Sequence, residues 1–327
     1  MTSSTVVEGS APAFEGRLAQ RGVSRREFLK FCGLMAGTLA LPARYAGRIA
    51  YALETAVRPP VVWLNFQDCT ADTESFLRAS QPDVDDLLLD ILSLNYHETV
   101  MVPSGRMSIK SLEDTVRDFA GQYVCVVEGS IPTRDGGVYC GIGGRTALSI
   151  AQEVCSQALA TLAVGTCAWE GGLAAAVPNP TGAVGVKDAV PGLATLINLP
   201  GCPVNVTNLT ATIVHFLTFQ QWPPTGESGR PLFAYGEEIH DECPRHEHYE
   251  HDEFVREWGD LAHRQGWCLF QMGCRGPEAH HNCPSVKWND GTEWPIGAGH
   301  GCIGCSEQRF WDRHSPFYVP GDDKSRA

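Results

Sequence analysis

Residues 123–168 read YVCVVEGSIPTRDGGVYCGIGGRTALSIAQEVCSQALATLAVGTCA, and this stretch decides the fold. YVCVVEG (123–129) is an unbroken apolar, β-branched run that ends on a glycine, as expected of a strand buried on both faces. GRTALSIAQEVCSQALA (144–160) has the spacing of a helix, and TLAVGTCA (161–168) is a second buried strand. Strand, helix and strand in that order predict two parallel strands joined by a crossover.

The same alternation extends in both directions. Upstream, VVWLNF (61–66) is a strand, TESFLRAS (73–80) a helix, DVDDLLLDILSLNYH (83–97) a helix running into a strand, and SLEDTVRDFAGQ (111–122) an amphipathic helix. Downstream, ATLINLPGCP (194–203) is a strand and turn, and VTNLTATIVHFLTF (206–219) is a helix. The expected class is α/β, with a flavodoxin-like parallel sheet over residues 55–225. Ligands of such sheets gather beyond the carboxyl ends of the strands, and Cys69, Cys140 and Cys167 each follow a predicted strand. GIGGR (141–145) lacks the glycine spacing of a dinucleotide site and is read instead as close backbone approach to a metal cluster.

Beyond the Pro- and Gly-rich linker at 221–231 the composition changes. Residues 226–327 form a second, irregular domain rich in Gly, Trp, His and Cys, with a helix expected only at about 250–264. Six cysteines and a histidine fall there as H-x2-C (His240, Cys243), C-x5-C (Cys268, Cys274), a lone Cys283, and C-x2-C (Cys302, Cys305). Thiolates at this density select iron-sulfur clusters or zinc, and such ligation also staples a domain poor in regular structure. The odd total of thirteen cysteines means that they cannot all pair as disulfides within the chain. A net charge of −13 argues against nucleic acid or an anionic membrane as partner.

Residues 1–52 read as a targeting segment, to be kept out of the fold argument. SRREFLK, with Arg25 and Arg26, precedes the apolar FCGLMAGTLALPA, the pattern of a twin-arginine export signal, with an expected cleavage point at Ala50-Tyr51-Ala52. The apolar run is too short to span a bilayer, where about 20 residues are needed. The expected location is the periplasm or the outer face of the cytoplasmic membrane, the alternative being the cytoplasm with the signal retained.

CTADTESFLR (69–78), VEGSIPTRDGGVYC (127–140), GTCAWEGG (165–172), PGCP (200–203), IHDECPR (239–245), GWCLFQMGCRGP (266–277), NCPSVKWNDGTEWPI (282–296) and GHGCIGC (299–305) together resemble the small, electron-transferring subunit of nickel-iron hydrogenases. The resemblance implies three clusters in a row, with the nickel-iron site in a separate large subunit. It implies a proximal 4Fe-4S cluster on Cys69, Cys140, Cys167 and the position three after Cys69, which is Asp72 where the family has cysteine. Asp72 either ligates iron or stands unligated beside a 3Fe-4S cluster; the first reading is preferred, because the second leaves an ion without a partner beside a buried cluster. The outer, distal 4Fe-4S cluster falls to His240, Cys243, Cys268 and Cys274, with zinc in the histidine-rich stretch as the alternative. A 3Fe-4S medial cluster falls to Cys283, Cys302 and Cys305, with Pro295 at the place of a fourth cysteine.

Ala71 and Arg145 stand where some oxygen-tolerant members carry additional cysteines. Cys32, Cys125, Cys155 and Cys202 are read as structural. Glu74 and Glu128 are read as lying near the first cluster, facing the partner interface or a proton route, with capping the alternative for Glu74. Implied partners are the large subunit and an unidentified electron acceptor, in a heterodimer or a dimer of heterodimers. The acceptor is expected to be soluble or anchored through another subunit, since no apolar helix follows GCIGC. The competing readings are a cluster-bearing subunit of a quinone-reductase-like complex, from a family that lacks the second domain, and a hydrogen-sensing complex, which needs no export signal.

Overall fold

The computed structural model describes residues 24–55, 58–79, 93–289 and 291–319. A five-stranded sheet, all parallel, is built from β1 (Pro60–Asn65), β2 (Ser93–His97), β3 (Val124–Glu128), β4 (Ala160–Val164) and β5 (Leu196–Leu199), in the order β2-β1-β3-β4-β5. That is the flavodoxin order. Because side chains alternate across a strand, Val61, Trp63, Val124 and Val126 enter one apolar core while Val62, Leu64, Cys125 and Val127 enter another on the opposite face. Cys125 and Cys155 meet in the second core with sulfurs 3.7 Å apart, too far for a disulfide.

The first face is covered by the helix Val206–Phe219, whose bounds agree with those read from the sequence, and a helical hairpin, Arg25–Thr38 and Tyr45–Thr55, packs on that helix within the same core. The apolar half of the expected targeting segment is therefore packed rather than detached. Phe28, Phe31, Met35, Ile49 and Leu53 are buried in the core on this side of the sheet, the hairpin packing on the helix Val206–Phe219, because an apolar helical face is driven to bury itself against another. Ser24 and Glu27 close a capping box at the start of the first helix. Ala50, in the expected cleavage point, is buried within the second. Among the described residues no helix is long and apolar enough to cross a membrane.

Two expectations are corrected. No helix spans 250–264; short helices at His246–Glu250 and Leu261–Arg264 flank an irregular segment. Its backbone is committed elsewhere, since Val255 N donates to Cys268 O and Cys268 N to Glu253 O, so long-range pairing overrides local helical preference. GIGGR is the turn of a small hairpin, Gly141–Ile142 against Arg145–Thr146, in which Gly143 and Gly144 both take positive φ; the turn, not a cluster, accounts for these glycines. The helix expected within 83–97 lies mostly outside the described residues, while its strand is β2.

Candidate functional site

Sheet register sets the first group of ligands. Asn65, Glu128, Val164 and Leu199 are aligned across β1, β3, β4 and β5 and form one row at the carboxyl rim. Each of three strands then delivers a cysteine within a few residues: Cys69 after β1, Cys167 in the helix Gly165–Glu170 after β4, and Cys202 in the turn after β5. The chain after β3 behaves differently. It leaves the rim through Ile131–Pro132, which pairs with Ala183–Val184, and reaches Cys140 twelve residues after Glu128.

The electrostatics separate the two candidates. The Cys202 thiol is enclosed at the rim although part of the residue stays open, and it is pushed up to about 12 by burial first and then by Cys305, Cys167, Asp72 and Cys69. Cys167 is also raised to about 12, by burial and then by Asp72 among others including Cys69. Cys140 is raised by burial and then by Glu98 and Asp68, and it packs against the opposite core. The structure thus groups Cys202, read from the sequence as structural, with Cys69, Cys167 and Asp72, and leaves Cys140 aside. The signal that could have found Cys202 was its position three residues after the end of a strand, matching that of Cys167.

Asp72 sits in the first turn of the helix Ala71–Leu77 and is buried. Its Oδ1 accepts from Val204 N at 2.5 Å. Burial, followed by the charge of Glu128, pushes its carboxyl up to about 8. Gly165, with φ of +76°, admits this carboxylate: a Cβ there would stand 2.2 Å from Asp72 Oδ2. Glu128, fully buried at the end of β3, collects five donors. Its Oε1 accepts from the backbone N of Asp72 and of Thr73, each at 3.1 Å, and Oε2 from Trp63 Nε1 (3.0 Å), Asn65 Nδ2 (2.9 Å) and Thr73 Oγ1 (2.5 Å). Glu74 is exposed in the same turn. Arg145, on the hairpin, pairs with Glu153 of the following helix, and a Cβ at Gly172 would stand 2.5 Å from Cys167 Sγ.

A second group follows directly. Thr166 Oγ1 donates to Cys305 O at 2.5 Å and accepts from Gly201 N at 3.0 Å, fastening the Cys202 turn to Cys305. Cys302 is pushed well up by burial and then by Cys274, Cys305 and Cys283, so Cys283, Cys302 and Cys305 lie together. Pro295 is exposed between buried Trp294 and Ile296.

The third group is continuous with the second, because Cys302 N donates to Cys274 Sγ at 3.3 Å. His240, Cys243, Cys268 and Cys274 line one cavity with Ile296 and Pro277. Burial, then His246, lowers His240, which favours the neutral imidazole that ligation needs. The nearby histidines have local partners: His248 is 2.5 Å from Glu253, His246 is 3.5 Å from Glu250, and His251 Nδ1 is 2.8 Å from Glu247 O.

Among the described residues, no three Cys, His, Asp or Glu side chains converge tightly enough to hold a single metal ion. Ligands of a multi-iron core stand further apart, each on its own iron. Burial raises the thiols of Cys167, Cys268, Cys274 and Cys302, so without a cationic centre they stay protonated. Amide donors already aim at several sulfurs, Phe270 N at Cys268 (3.4 Å) and Gly304 N at Cys302 (3.3 Å), which fits sulfurs that carry negative charge when ligated.

Comparison with known proteins bears on two segments of the chain. Residues 235–318 match the C-terminal family model of the NiFe/NiFeSe hydrogenase small subunit, and residues 69–216 match that of the NADH ubiquinone oxidoreductase 20 Kd subunit. The chain is 47% identical over 305 residues to the periplasmic [NiFe] hydrogenase small subunit 1 of Nitratidesulfovibrio vulgaris, covering 93% of this chain and 96% of the relative. It is 42% identical to the hydrogenase-2 small chain of Escherichia coli K12, covering 88% of this chain and 77% of the relative. Among solved structures, the reduced, active Ni-Fe-Se hydrogenase from Desulfomicrobium baculatum superposes with a TM-score of 0.76 at 33% identity, covering 81% of this chain and all (100%) of the matched chain. The actinobacterial-type NiFe-hydrogenase from Ralstonia eutropha H16 gives 0.73 at 28% identity, with 83% and 86% covered.

Proposed function

The chain belongs to the small subunits of nickel-iron hydrogenases, an oxidoreductase family, and we propose that it carries electrons from a large-subunit nickel-iron site through three iron-sulfur clusters to an acceptor. In this reading Cys69, Asp72, Cys167 and Cys202 hold a proximal 4Fe-4S cluster, with Cys202 in the role expected of Cys140. Cys283, Cys302 and Cys305 hold a medial 3Fe-4S cluster, and His240, Cys243, Cys268 and Cys274 a distal 4Fe-4S cluster. The clusters supply reversible one-electron chemistry. The chain supplies their order, their insulation from water and their potentials.

The observation that carries the reading is the contiguity of the three ligand groups, joined by Thr166 between Gly201 and Cys305 and by the Cys302 N to Cys274 Sγ bond. Sequential short steps are what a relay requires. The match of the first domain to the 20 Kd subunit family accords with the shared sheet, whereas the ligands at 240–305 fall in the segment matched by the hydrogenase model.

We further propose export by the twin-arginine route, supported by SRREFLK, with Arg25 and Arg26 exposed at a helix start, and by the periplasmic relative. The partner is a large subunit, in a heterodimer or a dimer of heterodimers. The test is anaerobic purification with counts of nickel, iron and sulfide: a nickel-bearing second chain with three clusters per small subunit is expected, and an iron-free or zinc-only product overturns the proposal.

A further inference from the structure

Cys283 differs from the other medial cysteines in the side chains around its sulfur. Trp288 Nε1 donates to Cys283 Sγ at 3.3 Å, and His281 Nδ1 lies 3.0 Å from the same atom. The backbone arranges this convergence. After the short helix Cys283–Val286 the chain reverses at Lys287, whose φ is +54°, and returns the Trp288 indole over the cysteine. Asn205 Nδ2 fixes the reversal by donating to Lys287 O at 2.5 Å.

His281 is held as firmly. Its ring stacks on Trp288 with centroids 6.0 Å apart and meets Tyr235 edge-on at 5.1 Å, and the Tyr235 hydroxyl is anchored on Pro200 O at 2.8 Å. Its Nε2 is buried, and among the described residues it has no hydrogen-bond partner. A ligated Cys283 carries no proton, so the contact at Nδ1 is a hydrogen bond only in the tautomer that places the imidazole proton there.

We propose that His281 and Trp288 are positioning residues that set the potential of the medial cluster through paired N–H···S bonds to Cys283. The inference rests on the assignment of Cys283, Cys302 and Cys305 to that cluster. Reduction adds one electron, and thus one negative charge, to the cluster core and its thiolates, with no bond formed or broken. Donors pointed at a thiolate favour the more negative state, so the pair raises the potential. A higher medial potential draws electrons away from the proximal site.

The test is a redox titration of the purified complex, with dithionite as reductant, following the electron paramagnetic resonance of the oxidised three-iron cluster. Trp288→Phe keeps the aromatic bulk and removes one donor, and His281→Leu removes the other; each is expected to lower the medial midpoint and leave the other two clusters in place. His281→Asn returns an N–H near the position of Nδ1 and is expected to restore most of the shift. Midpoints equal to the parent in both donor-free variants overturn the proposal. If His281→Leu fails to assemble, Trp288→Phe decides alone. A parent protein without a three-iron signal overturns the cluster assignment itself, which is a different failure.

Discussion

The backbone nitrogen of Asp72 donates to Glu128 Oε1 at 3.1 Å, so a carboxylate from the neighbouring strand caps a helix that has no side-chain cap of its own. Thr70, at the capping position, takes φ of +63° and makes no capping bond. A negative group at a helix N-terminus satisfies free amides and meets the positive end of the dipole. Here it also fixes the one proximal ligand candidate that is not a cysteine. Glu128→Gln presents an amide to donors that need an acceptor, and the loss is expected to be about 1.5–3 kcal/mol, the range for hydrogen bonds to a charged group. Chemical denaturation of parent and variant measures it; equal midpoints would contradict the capping role.

Cys202 and Cys140 make opposite predictions. Cys202→Ala is expected to strip the proximal cluster, lowering iron by about four atoms per chain, while Cys140→Ala keeps the full complement. Metal and sulfide analysis of the purified complexes distinguishes them. Iron lost from the Cys140 variant and retained in the Cys202 variant would return the site to the ligand set read from the sequence.

Asp72→Cys replaces a hard oxygen donor with a soft thiolate at the same spacing. A changed proximal midpoint and altered spectrum of the reduced protein are expected. An unchanged cluster type and potential would mean that Asp72 does not bind iron.

His97 gives the protein an acid-side weakness. It is fully buried, stacked on Trp63, and bonded through Nε2 to Thr73 Oγ1 at 3.3 Å, and burial pushes it down to about 4 from 6.5. Between those values the unfolded chain binds the proton and the folded chain does not. The stability that His97 contributes is therefore complete above 6.5 and is lost as the pH falls through 4. Thermal melts of parent and His97→Phe from pH 7 down to 4 should show a shallower decline in the variant, and parallel curves would count against the assignment.

The strands are legible because a sheet covered on both faces demands unbroken β-branched runs, and VVWLNF, YVCVVEG and TLAVG meet that demand with little ambiguity. The outer ligands are legible as well, since H-x2-C and C-x5-C are local spacings, and the cavity between His240 and Cys274 is built from them. Other features are not. The helix expected at 250–264 gives way to backbone pairing with Cys268, and the apolar leader segment reads as separable although its side chains join the core beside the helix Val206–Phe219.

The amino-acid order alone thus determined the class of fold, the family and the soft-ligand chemistry, because periodicity and short motifs are properties of neighbours along the chain. Which cysteines meet was decided only in three dimensions. Cys140 and Cys202 each follow a strand, and the one local hint is that Cys202, like Cys167, stands three residues after its strand end whereas Cys140 stands twelve. Register carries β5 into the row with β4 and delivers Cys202 beside Cys167, whereas the chain after β3 turns aside at Ile131–Pro132 to pair with Ala183–Val184 and reaches Cys140 only twelve residues after Glu128.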